Sequence, residues 1–167
     1  VALMAQDFND KSFGFLAKKG ADEAKEKYDI ATEYVEFSSQ VEGSNEGIDN
    51  LLRKTIGDTA MVICMGRETK GAVEKVARER RDKSFAIIDS KVEEANVKSI
   101  LFKHQEGAFL MGIVAGGETK ANNVGFVGAL NDEMGLEFCN GYIAGVKTVN
   151  EKAAEGLIDG INTRFIQ

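Results

Sequence analysis

Residues that can hold a small ligand by hydrogen bonds recur where the predicted strands end. They are Asp7, Asn9, Asp10, Gly66, Asp89, Gln105 and Glu106. Their carboxylates, amides and open backbone groups suit a neutral, hydroxyl-rich or amide-bearing small molecule. Phe8 and Phe13 stand beside the first group and offer aromatic faces on which a flat ring could stack. The pattern therefore predicts a binding site, although Asn9 and Asp10 would also serve as helix caps and Phe13 as a core residue.

Signatures of catalysis and of metal binding are absent from the sequence. It contains no GxGxxG, no GxxxxGK[ST] and no GxSxG, the motifs of dinucleotide, phosphate-loop and serine-hydrolase sites. Its one histidine, His104, has no evident orienting partner, and its two cysteines, Cys64 and Cys139, form no CxxC pair. We therefore expect no enzyme, no cofactor and no metal. A small hydrolase using His104 as general base is the minor alternative.

The element that must position the first group is a strand followed directly by a turn and a helix. Val1 to Ala5 is a short apolar run typical of a buried strand. Asn9 or Asp10 would cap the next helix. Its core stripe is predicted at Phe13, Leu16, Ala17, Gly20, Ala24 and Tyr28. In open α/β sheets, ligands bind at this edge, where the strands end.

Four more strands alternate with helices along the next part of the chain. We predict strands at Ala31–Phe37, Met61–Met65, Phe85–Ile88 and Val97–Phe102, the first of them ending at the polar loop SSQ, residues 38–40. Strict alternation of strand and helix indicates a parallel sheet with helices on both faces. We therefore predict a doubly wound, Rossmann- or flavodoxin-like α/β fold with strand order 2-1-3-4-5.

The remaining residues continue the alternation with less certain partners. The run KHQEGAFLMGIVAGG is so apolar that its helix should be covered by other elements. A strand at Val124–Val127, a turn at Gly128–Asp132 and a long helix at Met134–Val149 follow, the helix having Cys139, Tyr142, Ile143 and Val146 inward. A short helix through Leu157 and Ile158 and a strand at Thr163–Ile166 end the chain. The strand at Val124 either joins the first sheet or begins a second lobe.

Charge and hydropathy limit the partners. The formal net charge is −6 and the one dense basic cluster, RERR at Arg78–Arg81, lies at a predicted helix end, where cations suit the helix dipole. A nucleic-acid partner would require a basic face, so we expect none. No apolar run approaches the roughly 18 residues of a membrane-spanning helix. Because Val1 already belongs to the first strand, we expect no signal peptide and no lipidation site in this chain.

A set of motifs resembles the basic membrane lipoprotein family. They are DFNDKSF at Asp7–Phe13, SFAIIDS at Ser84–Ser90, VKSILFKHQEGAFLMG at Val97–Gly112, then NVGFVGAL and FCNGYIAGVKTVN. The resemblance covers most of Val1 to Asn150. Members of this family are substrate-binding proteins of purine nucleoside transporters, with a type I periplasmic-binding fold. The resemblance thus implies a non-catalytic receptor that is lipid-anchored outside the cell membrane and delivers nucleosides to an ABC permease.

The resemblance also assigns roles and domains. It implies that Asn9, Asp10 and Phe13 form the first-lobe part of a nucleoside site, with Phe13 stacking on the base and Asp89 holding its polar edge. Residues 1–121 would be the first lobe. Residues 122–167 would be the start of a second lobe, or an extra β-α unit packed on the first sheet or swapped in a homodimer. The alternative function is a structural or regulatory flavodoxin-like module with no intact ligand site.

Overall fold

The computed structural model describes residues 1–37, 45–129 and 131–166, the side chains of residues 45 and 46 excepted. The predicted SSQ loop at residues 38–40 lies outside these ranges, as does residue 130 within the predicted turn at 128–132. Contacts divide the chain into two compact units, Val1–Leu101 and Phe102–Gln167. The division comes at Leu101 because the helix following Leu101 packs on the long helix of the second unit. The predicted lobe boundary at residue 121 stays a prediction.

The first unit alternates strands and helices as the sequence predicts. Its elements are β1 (Ala2–Ala5), α1 (Phe13–Tyr28), β2 (Glu33–Glu36), α2 (Asn45–Asp58), β3 (Met61–Met65), a 3-10 helix (Arg67–Thr69), α3 (Lys70–Glu79), β4 (Ser84–Ile88) and β5 (Val97–Ile100). The predicted bounds of β3 are confirmed, and β2 and β5 are each shorter than predicted. The fold class, a parallel α/β sheet with intervening helices, is likewise confirmed.

Among the described residues, the strands of the first unit form one parallel five-stranded sheet in the order β2-β1-β3-β4-β5. This order confirms the prediction. In register, Leu3 lies opposite Tyr34 of β2 and Ile63 of β3, and Met65 lies opposite Ile88 of β4. The ends of β1, β3 and β4 therefore lie side by side at one edge of the sheet.

Two clusters of buried side chains cover the faces of this sheet. The larger contains the wholly buried Met4, Leu52, Val73 and Ile87, contributed by β1, α2, α3 and β4. The smaller cluster, on the other face, includes Leu3, Ala5, Phe8 and Met65, against which Ala17 and Ala21 of α1 pack. Burial on both faces explains why these strands are continuous apolar runs.

The core stripe predicted for α1 is confirmed at Ala17 and wrong at four of its other positions. Phe13 and Leu16 are exposed, as are Gly20 and Tyr28, and the side facing the core consists of small residues, Gly14, Ala17 and Ala21. A Cβ atom at Gly14 would overlap the backbone carbonyl oxygen of Asp7. The helix therefore approaches the end of β1 so closely that only small residues fit.

The second unit is built on a pair of helices. Its elements are α4 (His104–Glu118), β6 (Phe126–Gly128), α5 (Glu133–Val149), α6 (Glu151–Ile158) and β7 (Thr163–Phe165). Strands β6 and β7 pair in parallel as a separate two-stranded sheet. The strand near Val124 therefore does not join the five-stranded sheet in the described part of the chain, and the start of a second lobe stays a prediction.

Helices α4 and α5 contact each other through glycines. A Cβ atom at Gly112 would overlap the carbonyl oxygen of Tyr142, and one at Gly145 would overlap the carbonyl oxygen of Phe109. Of the predicted inward residues of α5, Cys139 and Val146 are buried and Tyr142 and Ile143 are half-buried.

The expected cover over α4 is incomplete within its own unit. Leu110, Met111 and Val114 are exposed, because the contact with α5 runs along the glycine side of the helix. Among the described residues, no helix is both long enough and apolar enough to cross a membrane.

Candidate functional site

A small cavity opens in the first unit where β1 and β3 end. Its volume is about 170 Å³, and the lining residues are Ala5, Gln6, Asp7, Asp10, Phe13, Gly14, Met65, Gly66 and Glu68. Four of the predicted site residues, Asp7, Asp10, Phe13 and Gly66, therefore line one cavity. Ligand pockets usually measure about 300–1,000 Å³, so this cavity has room for part of a drug-sized ligand.

Asp10 shapes one wall of the cavity by binding the start of α1. Its Oδ1 accepts hydrogen bonds from the backbone N–H groups of Ser12 (2.7 Å) and Phe15 (3.0 Å), and its Oδ2 accepts one from that of Gly14 (2.9 Å). These bonds, the one from Phe15 above all, hold the pKa of the Asp10 carboxyl below its usual value. The predicted capping function thus belongs to Asp10, two residues before Ser12, the N-cap position, whose own side chain makes no capping bond.

The turn between β1 and α1 has an unusual backbone. Lys11 adopts a left-handed conformation with φ of +54°, which a residue with a Cβ rarely occupies. Oδ1 of Asp7 accepts a hydrogen bond from the backbone N–H of Asn9 at 2.7 Å. Together with the Asp10 bonds, this contact fixes the turn and leaves the ring of Phe13, 41% exposed, at the cavity.

Gly66 closes the opposite side of the cavity at the end of β3. Its φ of +84° is a conformation that favours glycine. Its backbone N–H donates to the carbonyl oxygen of Ile88 (3.2 Å), and its own carbonyl accepts from the Thr69 hydroxyl (2.8 Å). The turn that begins the 3-10 helix is therefore tied both to the neighbouring strand and to the helix.

The other two predicted residues of the first unit lie outside the cavity lining. Asp89 is half-buried directly after β4, with a left-handed φ of +67° and its backbone N–H bonded to the carbonyl of Ile100 at 2.8 Å. It thus stands one strand beyond Gly66 along the edge of the sheet. Asn9 is exposed within the turn after β1.

Gln105 and Glu106 belong to the second unit. They are exposed in the first turn of α4 and line an open groove of about 600 Å³, together with Phe109, Leu110, Asn140, Gly141 and Ala144. Glu106 accepts a charged hydrogen bond from Lys103 Nζ at 2.7 Å. The sequence analysis predicts these residues as parts of one site, but in the structure they lie in two different units.

Phe8 and His104 are two further residues with aromatic rings for which the sequence suggested a function. Phe8 is buried at 4% exposure and packs edge-on against Tyr34, with ring centroids 5.5 Å apart, so the prediction that its face is open to a ligand is wrong. His104 lies against Phe138 in the second unit, with centroids 4.7 Å apart. It lines a cavity of about 430 Å³ together with Phe102, Phe126, Phe138 and Tyr142.

The sequence analysis missed three residues near this edge. Gln6 and Glu68 line the cavity, and Glu36 at the end of β2 accepts a hydrogen bond from the backbone N–H of Phe8 at 3.0 Å. Gln6 directly follows β1, so the strand-end rule could have found it. Within the described ranges, no group of three or more metal-ligating side chains is arranged to hold a metal ion.

The parallel α/β sheet, with a cavity at the ends of its strands, can be compared with known structures. The crystal structure of an ABC transporter solute-binding protein from Aeropyrum pernix K1 matches with a TM-score of 0.76 at 25% identity, over 99% of this chain and 46% of that one. The fold is therefore that of the type I periplasmic-binding proteins.

The sequence comparisons define the family more closely. Residues 1–154 match the model of the Bmp family, described as ABC transporter substrate-binding protein PnrA-like, and the chain belongs to this family. It is 34% identical over 149 residues to the CD4+ T-cell-stimulating antigen of Listeria monocytogenes. It is 28% identical over 148 residues to the ABC transporter nucleoside-binding protein BmpA of Lactococcus lactis.

The matched region covers most of this chain but less than half of each relative. It covers 89% of this chain and 41% of the Listeria protein, and 87% of this chain and 42% of the Lactococcus protein. The chain thus spans less than half the length of these relatives.

Proposed function

We propose that the first unit carries one half of a purine nucleoside site in the substrate-binding component of an ABC-type uptake system. The observation that carries the proposal is the single cavity shared by Asp7, Asp10, Phe13 and Gly66. Support for the ligand class comes from the family and from the nucleoside-binding name of the Lactococcus relative.

The chemistry of the cavity suits such a ligand. The exposed ring of Phe13 offers a stacking face for a flat base. The carboxylate of Asp7, which uses Oδ1 for the turn, accepts hydrogen bonds from ligand hydroxyl or N–H groups through its other oxygen. Asp89, at the end of the next strand, reads the polar edge of the base. Because the family is described as substrate-binding, we propose binding without catalysis.

The small volume sets the expected affinity. A cleft that encloses a ligand from two sides covers 70–90% or more of its surface, whereas the cavity here measures only about 170 Å³. If a complete cleft binds at roughly micromolar, about −8 kcal/mol, half of the contacts leaves about −4 kcal/mol, which is millimolar binding. We therefore propose weak binding by this chain alone.

The family implies the wider setting. We propose that the chain acts outside the cytoplasm, in the family's case as a lipid-anchored receptor, and that its protein partner is an ABC permease. A homodimer is a further proposal, motivated by exposed apolar residues such as Leu110, Met111 and Val114 in the second unit. A molar mass equal to that of one chain at high protein concentration would rule it out.

Thermal melting with adenosine, inosine or guanosine tests the proposal. A ligand that binds only the folded state at five times its dissociation constant stabilises it by about 1 kcal/mol. This raises Tm by roughly 2–4 °C. Unchanged melting at several millimolar nucleoside would contradict the proposal and favour a structural module.

A matched pair of variants locates the effect. Phe13→Ala should abolish most of the stabilisation, because stacking contributes about 1 kcal/mol. Phe15→Ala removes an equally exposed ring from the same helix but outside the cavity, so it should leave the ligand-induced shift unchanged. Equal losses in the two variants would show that Phe13 has no special role.

A further inference from the structure

The carboxylate of Glu68 lies in the candidate site, although no strand-end pattern assigns it there. Glu68 is the middle residue of the 3-10 helix after β3 and lines the cavity together with Phe13. A Cβ atom at Gly66 would come within 2.9 Å of the Glu68 carboxyl carbon. The missing side chain at Gly66 therefore makes the space that the Glu68 carboxylate occupies.

The backbone holds Glu68 in this place. The hydroxyl of Thr69, a wholly buried residue, donates to the Gly66 carbonyl at 2.8 Å, and the Thr69 backbone N–H donates to the same oxygen at 3.3 Å. Gly66 is in turn bonded to Ile88 of β4. The turn is fixed from both sides, so the fold fixes the backbone from which the exposed Glu68 side chain reaches the cavity.

The carboxylate oxygens in the cavity differ in how many hydrogen bonds they already accept from the backbone. Both oxygens of Asp10 accept backbone hydrogen bonds, and Oδ1 of Asp7 accepts one from Asn9. Among the described residues, the lining includes three carboxylates, Asp7, Asp10 and Glu68, and no lysine or arginine. The wall therefore offers a ligand mainly acceptors and favours a ligand that brings donors.

We infer that Glu68 is a specificity-determining residue that accepts a hydrogen bond from an N–H donor on the edge of a ring stacked on Phe13. The inference rests on the proposed function. Phe13 and Glu68 line the same cavity of about 170 Å³, so a ring lying on Phe13 has its edge within reach of the carboxylate. A hydrogen bond to a charged acceptor is stronger than one between neutral groups and selects for the donor.

Two probes that differ in one group test this inference. Adenosine carries an exocyclic amino group where purine riboside has a hydrogen. Titration of the ¹⁵N-labelled chain with each nucleoside, followed by chemical shifts, gives both dissociation constants even when binding is millimolar. The wild-type chain should bind adenosine roughly tenfold more tightly than purine riboside.

Substitutions of Glu68 should remove this preference. In Glu68→Ala the ratio of the two dissociation constants should fall to within about twofold, and Glu68→Gln, which keeps the size but not the charge, should give an intermediate ratio. The control Glu26→Gln removes one negative charge from an exposed position on α1, so it should keep the wild-type ratio.

The outcomes separate this inference from the proposed function. A tenfold preference that survives in both Glu68 variants overturns the inference and leaves nucleoside binding intact. Equal weakening of both probes in Glu68→Ala also overturns it, because Glu68 would then contact a part that the probes share. If neither probe shifts any signal of the wild-type chain, the proposed function fails, and the inference fails with it.

Discussion

The two units of the chain bury their residues by different means. In the first, large side chains such as Met4, Leu52 and Ile87 fill the space between a five-stranded sheet and helices. In the second, α4 and α5 meet backbone to backbone through Gly112 and Gly145. The comparison teaches that a core of large side chains can repack around a substitution that conserves volume, whereas a glycine contact has no room for a single added carbon.

The largest difference that we expect between the two units is in the reactivity of their buried thiols. Cys64 of β3 is wholly buried, and burial raises the pKa of its thiol from 9.0 to about 12. The thiolate at neutral pH is therefore about a thousandfold scarcer than for an unperturbed thiol. Cys139 of α5 is also buried, and its pKa is raised by the same cause, but its unit has the smaller core.

Alkylation with iodoacetamide at pH 8, followed by mass spectrometry of the peptides, measures both rates. Cys64 should react only after denaturation, and Cys139 should react faster than Cys64 in the folded chain. Rapid labelling of Cys64 under native conditions would show that the first unit opens readily, against the comparison.

The next effect concerns the glycine contact of the second unit. In Gly112→Ala, the added Cβ would meet the Tyr142 carbonyl oxygen and lie 2.8 Å from the Val146 backbone nitrogen. Neither backbone atom can give way without separating the helices. We expect destabilisation by about 3 kcal/mol, measured by urea denaturation followed by circular dichroism.

Gly107→Ala is the matched control on the same helix. A Cβ atom there meets nothing within 4 Å, so alanine should stabilise the helix by about 0.5–1 kcal/mol. If both substitutions changed stability by the same amount, helix propensity and not packing would explain the glycines of α4.

A similar pair of substitutions in the first unit should show a smaller cost. Gly14→Ala would bring a Cβ atom against the backbone of one residue, Asp7, whereas the Cβ atom at Gly112 would meet the backbone of three residues. We expect destabilisation by about 2 kcal/mol. Gly20→Ala, with nothing within 4 Å, should instead stabilise by about 0.5–1 kcal/mol. Equal effects at both sites would mean that α1 does not approach β1 closely.

The smallest effect concerns Asp10 and depends on pH. Because the pKa of Asp10 is lowered in the folded state from 3.8, its charged form stabilises the fold above the unfolded-state value. That contribution is lost as the pH falls through the lower folded-state value. Asp10→Asn should therefore lower Tm by roughly 2–5 °C at pH 7, with a difference that shrinks below about pH 3.8.

Asp58→Asn provides the control for this titration. Asp58 is exposed at the C-terminal end of α2, where a negative charge is unfavourable to the helix dipole. Its substitution should not lower Tm at pH 7. A difference for Asp10→Asn that stays constant from pH 7 to pH 2 would contradict the role of the carboxylate as a charged cap.

The sequence was sufficient for the order of the sheet and for part of the site. Alternating strands and helices determine a doubly wound sheet, and the strand-end rule found Asp7, Asp10 and Gly66. The sequence pattern did not predict which side of α1 faces the core. That side is determined by the close approach of Gly14 to Asp7 and by the left-handed turn at Lys11. Hydrophobicity alone pointed to Leu16, which is exposed.

Two further features depend on how the folded chain packs and not on the pattern of residue types. Glu68 enters the cavity only because Gly66 turns the chain back after β3. The division at Leu101 depends on the packing of α4 against α5, which the apolar character of α4 predicted without indicating the partner.

The most direct test of the proposed half-site is a titration of the ¹⁵N-labelled chain with a nucleoside. The molar mass of the chain is measured in the same sample. We predict a millimolar dissociation constant, about −4 kcal/mol, and shifts concentrated in residues 6–14 and 65–68, the two segments that contribute most of the cavity lining. Shifts concentrated instead in the second unit would contradict the proposed position of the site. A dissociation constant below about 10 μM for a monomer, near −7 kcal/mol, would contradict the claim that this chain holds only half of it.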